Sequence, residues 1–312
     1  MIDGVPRVSV ITPSYNQAAY LEQTLTSVLD QGYPDLEYLV VDGGSTDGSV
    51  DIIRRYAGRL AWWTSEADRG QADAVNKGLA RSGGEIIGWL NSDDYYLPEA
   101  IQAAVQAFRE NPQAGLVYGD VLAVDGQGDP LNLLRYRPWR LEDLMHFEII
   151  GQPSVFLRRS VLEQAGPLDL RFHFLLDHQL WLRMASLAPM VYVPQTWSAA
   201  RFHAQAKNVA QAGSFGEEAY RIVDWMRSTP PLAERFDAER RRIWGGAHRI
   251  NARYLSEGGA AGKALQGYWR SFWAYPPGVL RDWKRVLFTL LASLGLRGVR
   301  PLYLKLRKAR RA

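Results

Sequence analysis

The first hundred residues alternate short β-branched or apolar runs with amphipathic stretches, and that alternation leaves few folds open. Val8-Ser9-Val10-Ile11-Thr12 reads as a strand, and Leu21, Leu25, Val28 and Leu29 follow at helical spacing. Leu36 to Val41 is a second apolar run, ending in the acidic, glycine-rich turn Asp42-Gly43-Gly44-Ser45-Thr46-Asp47-Gly48. Ser49 is placed to cap a helix whose inward face is Ile52, Ile53 and Tyr56, and Asp47 reads as a cap or turn residue. Trp62-Trp63-Thr64 predicts a third strand, and Gln71 to Ala80 a third helix with Val75 and Leu79 inward. The buried-looking run Glu85 to Leu90 then closes on Asn91-Ser92-Asp93-Asp94. Repeated strand and helix units of this length predict the α/β class, a mostly parallel sheet flanked by helices.

In open sheets of this kind ligands sit outside the carboxyl ends of the strands. Hard divalent cations there take oxygens from one or two carboxylates plus a substrate diphosphate. Asp93 and Asp94 stand at such an end, although Asn, Ser and Asp also serve as ordinary turn residues.

Four strings, taken in order, carry a resemblance: Pro13-Ser14-Tyr15-Asn16-Gln17, Val40 to Gly48, Asp68-Arg69-Gly70-Gln71 on to Gly78, and Leu90-Asn91-Ser92-Asp93-Asp94. Together they resemble the family 2 glycosyltransferases of the GT-A fold, more loosely as far as about residue 208 and not over the last third. The resemblance implies a Rossmann-like central sheet. It implies a glycosyltransferase domain over 1–208, with a nucleotide-sugar half to about 97 and an acceptor half over 98–208. Residues 209–312 would then form a helical extension with a basic, amphipathic end.

It also implies roles. Asp42 would accept a hydrogen bond from the nucleotide base; relatives often have a second acid next, where this chain has Gly43. Pro13, Tyr15 and Asn16 would lie beside the nucleotide. Asp68 would contact base or diphosphate or cap its helix, with Arg69 reaching toward diphosphate. The acidic motif in relatives is Asp-X-Asp, and here Asn91 stands first. Its amide can still accept from a ribose hydroxyl, with Ser92 beside it, while Asp93 or Asp94 takes a Mn²⁺ or Mg²⁺. Downstream, Leu176, Leu180, Met184 and Leu187 share a helical face that puts Asp177 at the helix start, where the family has its general base. Residues 200–208 look like the segment that covers the donor. There His203 could complete the metal shell, and Arg201 or Lys207 could offset diphosphate charge.

The reaction implied is transfer of a sugar, with a UDP-sugar as the first expectation, to a hydroxyl on a glycan or lipid-linked acceptor, by one displacement that inverts the anomeric centre. No residue offers itself as the nucleophile of a retaining route. A sugar nucleotidyltransferase would need a glycine-rich, basic N-terminal loop to hold a triphosphate, and none is present. A noncatalytic scaffold would not need Asp93 and Asp177.

Composition bears on the rest. With 312 residues at 47% hydrophobic content the chain can bury a full core, and without cysteine it has neither disulfides nor thiolate metal sites. Met1 to Pro6 shows no leader pattern, so the cytoplasm is the expected location, with the inner face of the cell membrane as an extension of it. Between Arg281 and Ala312 ten Lys and Arg face a single Asp, in a chain of net charge +4. The apolar run Val286 to Leu296 is shorter than the roughly 20 residues that span a bilayer. It could lie in a membrane interface with Trp273, Trp283 and Tyr303 at the headgroups, or pack on the catalytic domain or on a second copy. No nucleic-acid module is recognisable. Residues 209–280 read as helices over Glu217 to Met226 and Leu232 to Tyr254, broken at Ser228-Thr229-Pro230-Pro231 and at Pro276-Pro277, and fit acceptor binding, oligomerisation or membrane docking alike.

Overall fold

The computed structural model describes residues 4–203 and 212–295. Strands β1 (Val8–Ser14), β2 (Leu36–Asp42), β3 (Trp62–Ser65) and β4 (Ile86–Trp89) are parallel neighbours in the order β3-β2-β1-β4. All seven residues of β1 are buried, as a central strand covered on both faces requires, which is why its sequence lacks polar alternation.

Helices α1 (Ala18–Leu29), α2 (Ser49–Tyr56) and α3 (Gln71–Arg81) make the crossovers. Leu21, Leu25 and Val28 of α1 and Ile53 of α2 pack with Val8, Val10 and Val40 in one core. On α3, a Cβ at Gly78 would stand 2.5 Å from Ile11 Cγ2, so glycine there lets α3 lie close against β1. Asp47 does the capping expected of Ser49: one carboxylate oxygen accepts from the Ser49 N–H and hydroxyl at 3.0 and 2.6 Å, the other from the Ala18 N–H at 2.8 Å.

Beyond β4 come β5 (Tyr95–Tyr96), α4 (Ala100–Glu110), β6 (Leu116–Asp125), β7 (Pro130–Leu134), α5 (Leu141–Met145), β8 (Val155–Arg158), α6 (Arg159–Ala165), α7 (Leu176–Ala185) and β9 (Met190–Phe202). β8 enters antiparallel between β4 and β6, and β9 pairs antiparallel with β5. The parallel core thus acquires an antiparallel flank, and the sheet continues β4-β8-β6-β9-β5 with β7 on β6.

The chain divides into two compact units, Met1–Arg140 with Ile150–Arg201, and Leu141–Ile149 with Phe202–Ala312. This differs from a simple boundary at 208. The segment 141–149 belongs to the helical unit because its partners are there: His146 Nε2 lies 2.8 Å from the Glu239 carboxylate, and Arg249 donates to the Phe147 carbonyl at 3.2 Å. The second unit is built from α5 with α8 (Ala212–Ser228), α9 (Leu232–Glu257), α10 (Ala261–Ala274), α11 (Pro276–Arg281) and α12 (Trp283–Ser293). Pro276 and Pro277 do more than end α10. They open α11, where the missing N–H groups cost no intrahelical bond.

Candidate active site

Four parallel strands end at one edge, and the loops leaving them carry most of the residues singled out in the sequence. The register pairs Ser14 with Asp42, Asp42 with Ser65, and Ile11 with Trp89, so the loops after β1, β2, β3 and β4 emerge side by side. Pro13 is buried inside the last turn of β1 pairing, opposite Val41, whereas Tyr15 just beyond it is 62% exposed. Asn16 adopts φ 51°, a left-handed conformation that Asn tolerates. Its Oδ1 accepts from the Thr46 N–H at 2.9 Å while its own N–H donates to Ser45 Oγ at 2.8 Å, which ties the first loop to the second.

Asp42 is fully buried and holds that second loop. Its carboxylate accepts from the N–H groups of Gly44 and Ser45 at 3.0 and 2.8 Å and from the hydroxyls of Ser45 and Ser65 at 2.5 and 2.8 Å. These bonds occupy the Asp42 carboxylate in shaping the loop. Next to it, a Cβ at Gly43 would stand 2.8 Å from Asp68 Oδ2, so the Asp68 carboxylate lies in the space that a side chain at 43 would enter. The other Asp68 oxygen accepts from the Gly70 N–H at 2.7 Å, just ahead of α3. Arg69 is turned to Asp73 at 2.7 Å rather than toward the other loops. Its side chain is 73% exposed, and such surface pairs are worth at most about 1 kcal/mol, which leaves Arg69 able to swing to a stronger anion.

The acidic turn after β4 is held from three sides. Asn91 Oδ1 accepts from Gln71 Nε2 at 2.7 Å and from Trp89 Nε1 at 3.0 Å, so its acceptor capacity, expected to face a ribose, is spent within the protein. Ser92 is buried, and the Thr24 hydroxyl donates to the carbonyls of Ser92 and Asp94 at 3.0 and 2.7 Å. The two carboxylates differ. Asp94 is buried and accepts from the Arg201 N–H at 2.9 Å, whereas Asp93 is half-buried with its side chain nearer the surface. Burial, followed by the charge of Asp93, pushes the Asp94 carboxyl well above the ordinary carboxylate range, against the opposing pull of Arg201 and Asn91. Two adjacent carboxylates strained in this way fit a divalent cation, whose charge would relieve both. Among the described residues no three His, Cys, Asp or Glu side chains gather to hold a metal. His203 lies past β9, in the second unit, and Lys207 lies outside the described residues.

Arg201 has a different place from the one its sequence context predicts. It is 5% exposed, donates through Nε to the Asp93 carbonyl at 3.0 Å and through its terminal nitrogens to Gln23 Oε1 and the carbonyls of Asp125 and Gly126, and stacks over Tyr20 at 4.7 Å and Tyr95 at 5.5 Å. The guanidinium is a buried clamp on the acidic turn. Arg201→Ala is expected to cost on the order of 3 kcal/mol, because several buried carbonyls lose their donor together. Urea unfolding followed by tryptophan fluorescence measures it; a loss under about 1 kcal/mol would remove the clamp role.

Asp177 sits in the first turn of α7, half-buried, with one oxygen fixed by the His178 N–H at 2.8 Å. Four residues on, on the same helical face, Trp181 packs its ring 6.5 Å from that of Trp89, the residue whose indole holds Asn91. Trp181 is core, and it draws the face carrying Asp177 against the strand that ends in the acidic turn. His178 and Gln179 point into the core instead. Residues that the sequence did not disclose are Gln71, Trp89 and Thr24, which hold the turn from α3, β4 and α1. Nothing in their local sequence marks them, since each works through a partner 20 or more residues away, except Trp89, two residues from Asn91.

A parallel nucleotide-type half sheet with an acidic turn at its carboxyl edge and an antiparallel flank defines a GT-A glycosyltransferase, and comparison with known proteins agrees. The profile of Glycosyl transferase family 2 matches residues 9–161. Bacillus subtilis TuaG, a glycosyltransferase named for teichuronic acid biosynthesis, is 36% identical over 176 residues, which cover 54% of this chain and 68% of that protein. A Mycobacterium bovis glycosyltransferase named for PGL/p-HBAD biosynthesis is 32% identical over 192 residues, covering 60% and 73%. In fold, the crystal structure of Staphylococcus aureus TarS 1-349 superposes with a TM-score of 0.59 at 18% identity, over 87% of this chain and 92% of that one. The mannosyltransferase PcManGT from Pyrobaculum calidifontis, in complex with GDP-Man and Mn²⁺, gives 0.60 at 22% identity over 94% and 87%. The chain belongs to glycosyltransferase family 2 and is a glycosyltransferase.

Proposed function

We propose that this enzyme is an inverting, metal-dependent hexosyltransferase that moves a sugar from a nucleotide-diphosphate sugar to a hydroxyl of a cell-envelope glycan or lipid-linked acceptor. The observation that carries the reading is the pairing of two acidic groups with separate supports: Asp93 on the clamped turn after β4, and Asp177 on the helix that Trp181 packs against that strand. The relatives named for teichuronic acid and PGL/p-HBAD biosynthesis support an envelope glycan as product. TarS complexed with UDP-GlcNAc and PcManGT with GDP-Man and Mn²⁺ support the donor class.

In this reading the donor lies along the carboxyl edge of the parallel strands, its base by Tyr15 and Asp68. Asp68 faces the base in the role that a side chain at 43 would otherwise fill, Asp42 keeps the loop in shape, and Arg69 leaves Asp73 for the diphosphate. Asn91 and Ser92 form the floor under the ribose. Asp93, with Asp94 behind it, would hold a Mn²⁺ or Mg²⁺, whose positive charge would favour departure of the diphosphate. Asp177 takes the proton of the acceptor hydroxyl as its oxygen bonds to the anomeric carbon and the bond from that carbon to the diphosphate oxygen breaks. The nucleoside diphosphate leaves from the opposite face with the electron pair. His203 has no assigned part in this scheme.

Binding of UDP- and GDP-sugars in the presence of Mn²⁺, read by calorimetry, tests the donor half. One nucleotide should bind at least about tenfold more tightly than the other. Asp68→Ala should erase that preference, and Gly43→Asp combined with Asp68→Gly should restore part of it. Equal binding of both nucleotides to wild type, or a preference untouched by Asp68→Ala, would move base recognition elsewhere.

A further inference from the structure

Among the described residues the exposed large hydrophobic side chains are concentrated in one stretch of the helical unit. Apart from Val5, Tyr15 and Leu187, they are Trp269, Phe272, Trp273, Leu280, Trp283, Leu287, Leu290 and Leu294. Helix α10 packs inward through Ala264, Gly267, Tyr268 and Ser271 and carries Trp269, Phe272 and Trp273 on another stripe, their rings in mutual contact at 5.6 to 6.4 Å. Helix α12 repeats the arrangement. It packs through Val286 and Thr289, while Trp283, Leu287, Leu290 and, just past its end, Leu294 follow at spacings of four, three and four, which is one helical face. Each helix therefore has a second apolar stripe that is left exposed among the described residues.

The charged residues of this stretch are mostly basic. From Trp269 to Leu294 the charged residues are Arg270, Arg281, Lys284 and Arg285 against Asp282 alone. Arg270, Arg281 and Lys284 are exposed, and Lys284 lies over the Trp283 ring at 5.6 Å. A second copy of the same face would bring like charges together, which disfavours a symmetric dimer. Exposed indoles interleaved with cations instead match a bilayer surface, where the ring sits at the headgroups and Lys or Arg meets anionic lipid. No described helix is long and apolar enough to cross a membrane, so the contact is one of lying on the surface.

We infer that the face formed by α10 to α12 docks this enzyme on an anionic lipid bilayer. This is independent of the donor and acceptor assignments, because it uses none of their residues.

The test is co-sedimentation of the full chain, without nucleotide, with vesicles of phosphatidylcholine alone or mixed in equal parts with phosphatidylglycerol. The chain should pellet with the mixed vesicles and stay in solution with the neutral ones, and added salt should weaken the binding. The variant Trp269→Ser/Trp273→Ser/Trp283→Ser should lose affinity by about tenfold or more. These side chains are 62%, 64% and 56% exposed, so its thermal melt should match wild type. Leu287→Gln/Leu290→Gln should act in the same direction through α12 alone. The inference is overturned if wild type ignores phosphatidylglycerol, if the tryptophan variant binds as wild type does, or if light scattering shows a wild-type dimer that the variant turns into a monomer.

Discussion

Asp177→Asn should keep the fold and bind the nucleotide sugar as wild type does, yet transfer sugar on the order of a thousandfold more slowly. The substitution preserves shape, and the His178 N–H that now meets Asp177 at 2.8 Å can donate to the Asn carbonyl equally well. Only the ability to receive the acceptor's proton is lost. The loss should therefore fall on kcat with little change in KM for the donor, the pattern of an interaction made in the transition state. Steady-state kinetics on any accepted alcohol would show it. A fall of less than about tenfold in kcat, or a loss confined to KM, would place the base elsewhere.

The second large effect belongs to Asp93→Ala. Donor binding should weaken by about a hundredfold or more, and the remaining binding should no longer respond to Mn²⁺ or to a chelator. Asp94 is a poor substitute because its carboxylate is buried and engaged by the Arg201 N–H. The same change takes a like charge away from Asp94, which Asp93 helps to push upward. The metal-free variant should consequently melt no lower than wild type. That pairing of intact stability with lost metal response separates a ligand from a structural acid; a variant that unfolds, or that keeps its metal dependence, would count against the assignment.

How much of this was legible in the sequence depended on distance along the chain. The strands β1, β2 and β4 could be read because both sheet faces are covered, so Val8 to Thr12 and Leu36 to Val41 are mostly apolar, broken only by Ser9, Thr12 and Glu37. The positions of Asp42 and Asp93 followed from the ends of β2 and β4, and that of Asp177 from the start of the apolar helical face of α7. Their partners did not. Arg201 is joined to the Asp93 carbonyl across 108 residues, and an arginine in a short alternating segment gives no local sign that it will be buried. The meeting of Gly43 with Asp68 likewise depends on how the loops after β2 and β3 fold over each other, not on either motif. The grouping of Leu141 to Ile149 with the helical unit was not legible for the same reason, since His146 finds Glu239 only after α9 is in place. Local pattern marks where chemistry can sit, and long-range packing decides which side chains remain available for it.

The most direct measurement is the anomeric configuration of the sugar at the moment it leaves the donor, followed by proton NMR in early turnover with the acceptor or with water. One displacement with Asp177 as base gives a first product of configuration opposite to the donor. A first product that keeps the donor's configuration would require a covalent or front-face route and would contradict the mechanism assigned to these two carboxylates.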